Sequence, residues 1–358
     1  MKLSVFCAFV AVFLSLPHQK KSVQKKTPKI LLIRFSSIGD IVLTTPVIRA
    51  LHQQLNAEVH VLTKKSFGGV LSANPFVKRI WMIEKKVSEV SLSLKKENFT
   101  AVIDLHANLR SLRLKLALWR VPKYRFDKLN WQKWLLVKFK INRMPDIHIV
   151  DRYMATVKPL GVDNDGKGLD HFIPKKDEVK PENYGLKSPY VALVTGAAHA
   201  TKRLPTEKLI EICKGISPQP IVLLGGPNEK AQGDAIVKAA GNHVINTCGQ
   251  TRLQQSASLL KQASFVITHD TGLMHMAAAF RLPIISVWGN TVPEFGMYPL
   301  VTDLLEKKHK NTFFEVKNLP CRPCSKIGYN ECPKGHFNCM MKQDILGMLE
   351  QVRNKATF

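Results

Sequence analysis

The chain has 358 residues, 45% hydrophobic and 22% charged, with 53 Lys+Arg against 27 Asp+Glu and a formal charge of +26. This excludes a short peptide hormone and a chain disordered throughout, and the length favours two domains. The basic excess calls for an anionic partner, which charge alone leaves open among nucleic acid, phospholipid and a phosphorylated small molecule.

Residues 3–17, LSVFCAFVAVFLSLP, are a 15-residue apolar run, shorter than the roughly 20 residues of a spanning helix. Lys20, Lys21, Lys25, Lys26 and Lys29 follow it and only Lys2 precedes it, the reverse of an export signal. Residues 1–28 therefore read as a tail outside the fold, either membrane-associating or preceding a later true start.

Lys29 to Arg34 is a continuous apolar run, the pattern of a strand buried on both faces of a parallel sheet. It runs into Ser36-Ser37-Ile38-Gly39-Asp40, where small residues permit close backbone approach and Asp40 is either a general base or the acidic cap of a helix. Thr45 and Pro46 read as an N-cap with proline in the first turn. Residues 58–62, 79–83 and 101–105 repeat the short-strand pattern, giving an alternating β/α domain over 29–173. Arg110, after the strand ending in AVIDL, is a candidate anion-binding cation, with Asp104 and His106 at the same strand end. Residues 110–143 hold eleven Lys/Arg, one acid (Asp127) and six aromatics, a composition suited to an anionic membrane surface, to RNA, or to a solvated helix face. Asp163-Asn164-Asp165, a literal D-x-D, sits in a polar turn context.

Residues 174–189, with three prolines and four lysines, read as a linker. Strand patterns restart at 190–195, 220–224, 264–268 and 283–288, giving a second domain over 190–320. In open α/β sheets ligands lie beyond the carboxyl ends of strands. Three such ends carry chemistry: Thr201-Lys202-Arg203-Leu204-Pro205, whose cations suit a diphosphate; Gly225 to Glu229, where Glu229 suits a ribose or caps a helix; and His269-Asp270-Thr271-Gly272-Leu273-Met274-His275. In the last, the amides of Thr271 and Gly272 suit an anion, with glycine allowing its approach, while Asp270 itself repels phosphate.

Residues 321–358 form a tail. Cys321, Cys324, Cys332 and Cys339, with His336 between them, supply enough thiolates for tetrahedral zinc at a spacing that is not a standard finger; reduced structural thiols are the other reading. Seven cysteines in a long chain, four of them within 19 residues, do not make a secreted disulfide scaffold.

The strand with SSIGD, the K-x-x-P loop, the GGPNE turn and HDTGLMHMAAA, in this order over 29 to about 350, resemble the lipopolysaccharide heptosyltransferases of glycosyltransferase family 9. The resemblance implies an α/β GT-B fold, two Rossmann-like doubly wound domains facing a central cleft. It implies a metal-independent, inverting transfer of heptose from ADP-heptose, the donor substrate and no separate cofactor, to an anionic lipid A-core precursor. Asp40 then matches the catalytic aspartate; Thr201, Lys202, Glu229, Asp270, Thr271, Gly272 and His275 line the donor side; Ser36, Ser37, Gly39, Asp104 and Arg110 line the acceptor side. The location implied is cytoplasmic and peripheral, at the inner membrane, with no nucleic-acid partner. Another nucleotide sugar on the same fold, or a basic binding module without catalysis, are the alternatives.

Overall fold

A computed structural model describes residues 27–300 and 312–355. The apolar run at 3–17 lies outside the described residues. In chain order the elements are β1 (Lys29–Ile33), α1 (Ile38–Val42), α2 (Thr45–Leu55), β2 (Glu58–Lys64), β3 (Val77–Ile83), α3 (Ser88–Lys96), β4 (Ala101–Asp104), α4 (Leu109–Ala117), β5 (Lys123–Arg125), α5 (Asn130–Phe139) and α6 (Ile149–Val157). After short 3-10 turns come β6 (Val191–Val194), α7 (Thr206–Ile216), β7 (Ile221–Leu224), α8 (Lys230–Ala240), β8 (Val244–Asn246), α9 (Leu253–Gln262), β9 (Phe265–His269), α10 (Gly272–Ala279) and β10 (Ile284–Trp288). The described chain ends with β11 (Thr312–Glu315), α12 (Asn338–Met341) and α13 (Ile345–Lys355).

Two wholly parallel sheets result, in the orders β3-β2-β1-β4-β5 and β11-β10-β9-β6-β7-β8. β1 is central because both of its faces are apolar. Ile30 and Leu32 enter one core and Leu31 and Ile33 another, each buried side chain contributing about 1.5–3 kcal/mol. The first of these cores continues into the second domain, through Tyr190, Ala192, Val194 and Leu273.

Short or edge strands escaped the sequence reading. β5 and β8 have three residues each and β11 is only partly buried, so none carries a long apolar run. α2 begins one residue earlier than expected, with Thr44 as N-cap and Pro46 in the first turn. The tight turn expected after β1 holds the five-residue helix α1. Residues 174–189 are partly wound into 3-10 turns at Lys175–Asp177 and Pro181–Tyr184. They are tied to α9 by the Val179 amide, which donates to Ser258 Oγ at 3.0 Å.

The domains meet along α1 and α10. A Cβ built on Gly272 would lie 2.6 Å from Ile38 Cγ2, so a side chain there would drive the helices apart. The carboxyl ends of β1 and β4 in one sheet, and of β6, β7, β9 and β10 in the other, bring their loops to this seam.

Candidate active site

Asp40 stands at the third position of α1, where Ser37 is the N-cap. Its Oδ2 accepts the Ser37 amide at 3.0 Å and the Ser37 hydroxyl at 2.7 Å, while the Arg34 guanidinium pairs with Oδ1. Arg34 is itself buried and fixed by the carbonyls of Leu105 and Ser36. Burial pushes the Asp40 carboxyl up, but Arg34 and the two Ser37 hydrogen bonds outweigh it and hold the group below its usual range. Asp40 is thus an ionised carboxylate that caps its helix.

On the opposing domain, Lys202 Nζ donates to Asp270 Oδ2 at 2.5 Å, and the same oxygen accepts the Thr291 hydroxyl at 2.9 Å. Glu229 pairs with Arg203 at 2.9 Å and accepts the Gly226 amide at 2.8 Å, so acid and turn brace each other at the ends of β6 and β7. His275 is buried between the two halves and faces the charges of Asp270, Asp40 and Lys202. Burial holds it neutral, pushed down to about 4, and its Nδ1 has no partner.

Other expected donor and acceptor residues take different positions. The Thr201 hydroxyl donates to the Tyr329 carbonyl at 3.1 Å and accepts the Tyr329 amide at 2.8 Å, which engages it with the tail. Thr271 is the N-cap of α10 without a side-chain cap bond. The space over the Gly272 Cα, expected to admit a phosphate, is filled by Ile38. Asp104 is sealed at 0% exposure, its Oδ1 accepting the amides of His106 and Ala107 and its Oδ2 pairing with Lys115 at 2.8 Å. It organises the loop after β4 and has no exposed oxygen for an acceptor. Arg110 lies 5.5 Å over the Phe35 ring. Ser36 contributes its carbonyl to Arg34, and Gly39 lies against His275.

Two features of the site were not read from sequence. Arg34, the last residue of the run that defines β1, signals nothing by spacing, yet it sets the charge of Asp40. Asn290, after β10, is 1% exposed with both side-chain amide atoms unpartnered, beside the Thr201 carbonyl that its own amide contacts at 3.4 Å. Buried polar atoms left open in this way are candidates for a ligand.

The D-x-D forms a turn: Asn164 Oδ1 accepts the Gly166 amide and Asp165 chelates Arg49 through two contacts of 2.7 Å. In the tail, Cys321, Cys324, Cys332 and Cys339 lie close together without forming a disulfide. Cys321 Sγ lies 3.9 Å from His336 Nε2, and Cys324 donates to the Cys321 carbonyl. Burial and the neighbouring thiols raise Cys324 to about 11 and Cys339 to about 12. Among the described residues no three such side chains are arranged as a metal shell.

The family model "Glycosyltransferase family 9 (heptosyltransferase)" matches residues 87–330. Lipopolysaccharide heptosyltransferase 1 of Campylobacter coli is 24% identical over 290 residues, covering 74% of this chain and 84% of that protein. A glycosyltransferase family 9 crystal structure from Veillonella parvula superposes with a TM-score of 0.72 at 19% identity, covering 92% of this chain and 97% of the other. The Escherichia coli ADP-heptose lipopolysaccharide heptosyltransferase II structure gives 0.68 at 21% identity, covering 91% and 98%. The two-sheet architecture is therefore the GT-B fold of these proteins.

Proposed function

This chain belongs to glycosyltransferase family 9, and on that premise we propose that it is an inverting transferase carrying heptose from ADP-heptose to a lipopolysaccharide inner-core acceptor. The observation that carries the reading is that two charged groups, each paired within its own domain, meet at the seam around His275. Asp40 lies on one domain, the Lys202–Asp270 pair on the other, and His275 faces all three.

An acceptor hydroxyl oxygen bonds to the anomeric carbon as that carbon's bond to the diphosphate oxygen breaks. The hydroxyl proton passes to Asp40 and the electron pair leaves on ADP. A carboxylate held below its usual pKa accepts the proton late, once bond formation has made the hydroxyl acidic. Negative charge building on the diphosphate is met by Lys202, whose ammonium exchanges its Asp270 contact for phosphate oxygens. Glu229, beside β7, is the ribose-side acid, and Ser36, Ser37, Gly39 and Arg110 border the acceptor.

The acceptor's lipid end fits the exposed apolar side chains carried by α4, the turn after it and α5. Leu109, Leu116, Trp119 and Trp131 are 77%, 65%, 69% and 64% exposed, set among lysines and arginines, as suits rings at headgroup level and cations on lipid phosphates. This reading locates the protein at the cytoplasmic face of the inner membrane, without a nucleic-acid partner. No helix among the described residues is long and apolar enough to cross a membrane.

The test is mass spectrometry of truncated lipopolysaccharide incubated with ADP-heptose and the purified protein. Addition of one heptose is expected with wild type, with loss of about 10²-fold or more for Asp40→Ala, the scale of a lost general base. Equal rates in the two proteins would refute Asp40 as the base. Titration with ADP, UDP and GDP fixes the nucleotide.

A further inference from the structure

At the end of β10 the chain leaves its sheet, and residues 288–291 are all buried, so their carbonyls need donors from elsewhere. The tail supplies them. Gln343 Nε2 donates to the Trp288 carbonyl at 3.1 Å, Arg322 Nε to that of Gly289 at 2.6 Å, the Cys324 amide to that of Asn290 at 3.1 Å and Arg322 Nη2 to that of Thr291 at 2.9 Å. The Arg322 side chain is 8% exposed, and its charge is met at 2.6 Å by Glu315, which stands beside Trp288 in the register of β11 with β10. The same tail fixes the loop after β6, where the amide of Thr201, next to Lys202, donates to the Tyr329 carbonyl at 3.2 Å.

The loop held in this way carries Thr291, whose hydroxyl donates to Asp270 Oδ2, the oxygen that also accepts Lys202 Nζ. The Asp270 side chain is 13% exposed, so little water reaches it to replace a lost partner. When Lys202 turns to phosphate oxygens, Asp270 gives up its cation and keeps the Thr291 hydroxyl. A carboxylate left unpaired at that depth is costly. The hydroxyl lowers the cost of the exchange, and without it Asp270 would hold Lys202 back from the donor.

We infer that Thr291 and Arg322 are positioning residues for the donor: the Thr291 hydroxyl holds Asp270 while Lys202 passes to the diphosphate, and Arg322 holds Thr291 in place through its carbonyl. The inference rests on the proposed donor site and names residues that act through its ion pair. Arg322 is not itself a phosphate ligand here, because its Nε and Nη2 are engaged by Gly289, Thr291 and Glu315. The cysteine-rich tail thereby acquires a role. It keeps the ends of β6 and β10 at a fixed spacing, where a displacement of about 1 Å costs about 10²-fold in a reaction of this kind.

The test is isothermal titration of the full chain with inorganic pyrophosphate, with ADP and, separately, with truncated lipopolysaccharide. Thr291→Val and Arg322→Gln are each expected to weaken pyrophosphate and ADP binding about tenfold, the scale of a hydrogen bond to a charged group, and to leave acceptor binding unchanged. Because both act through one link, the double variant should also lose about tenfold, where independent sites would multiply to about hundredfold. Thr291→Ser, which keeps the hydroxyl, should bind as wild type, and Arg322→Lys should fall between wild type and Arg322→Gln. Lys334→Gln, exposed on the same tail, should match wild type. Should Arg322→Gln fail to fold because Glu315 is left unpaired, Thr291→Val against Thr291→Ser, and the double variant built with Arg322→Lys, decide the matter. Multiplied losses in the double variant, equal losses in Thr291→Ser and Thr291→Val, unaltered binding by both single variants, or parallel losses of acceptor affinity would overturn the inference. Pyrophosphate binding with the expected dependence, by a wild type that transfers no heptose, would sink the reaction reading and leave the two positioning residues standing; a wild type that binds neither pyrophosphate nor ADP would sink both.

Discussion

His275 of the second domain lies directly on Gly39 of the first: a Cβ at Gly39 would come within 2.6 Å of the imidazole Cδ2. The residue before the proposed base is thus also one of the points where the two domains touch. With the Cα of Gly272 3.4 Å from the same position, the seam is built from two glycines and one neutral histidine.

Gly39→Ala should therefore act on both stability and catalysis. The added methyl has to displace a buried ring, and overpacking of this kind costs about 1–3 kcal/mol. Calorimetry should show a lower Tm together with a reduced kcat. An unchanged kcat would mean that the spacing of α1 from α10 does not matter to transfer.

Arg34 is expected to set the acidic limb of the pH profile. Its guanidinium helps hold Asp40 ionised, so the stability from this carboxylate is present above its unfolded pKa and lost as pH falls through the lower folded value. In Arg34→Gln the limb of kcat/KM should move to higher pH by about one unit or more. A limb that stays in place would assign it to another group.

Lys202→Ala should weaken ADP binding by about tenfold or more, in line with loss of a charge-assisted contact, and leave acceptor binding intact. Titration of the two ligands separately checks this. A loss confined to the acceptor would exchange the roles of the two domains.

The buried histidines predict acid sensitivity. Burial lowers His269 to about 3 and His275 to about 4, so between those values and the unfolded pKa of about 6.5 only the unfolded chain takes up their protons. Stability contributed by keeping them neutral is full above that range and falls as pH drops through it. Two such groups give a slope of about 2.7 kcal/mol per pH unit near pH 5. Denaturant melts from pH 7 to 5 measure it together with the contributions of His106 and His171, each also pushed down to about 4, and His275→Gln should lower the slope by about 1.4 kcal/mol per pH unit. An unchanged slope would show that His275 is protonated inside the fold.

The sequence alone determined the parts whose signal is local. An apolar run long enough to be buried on both faces marks a central strand, as with Lys29–Ile33 and Phe265–His269, and the segment that follows falls at the sheet's carboxyl edge, so Asp40 and Asp270 could be named as candidate site residues. Three-residue β5 and β8 carried too few side chains for such a signal. What only tertiary structure decided is which charges meet. Arg34 completes Asp40 through the bend between β1 and α1, Asp104 turns inward to Lys115, and Gly272 serves the approach of two helices. Coulomb energy depends on distance and burial in the folded state, and neither is written in the order of residues along the chain.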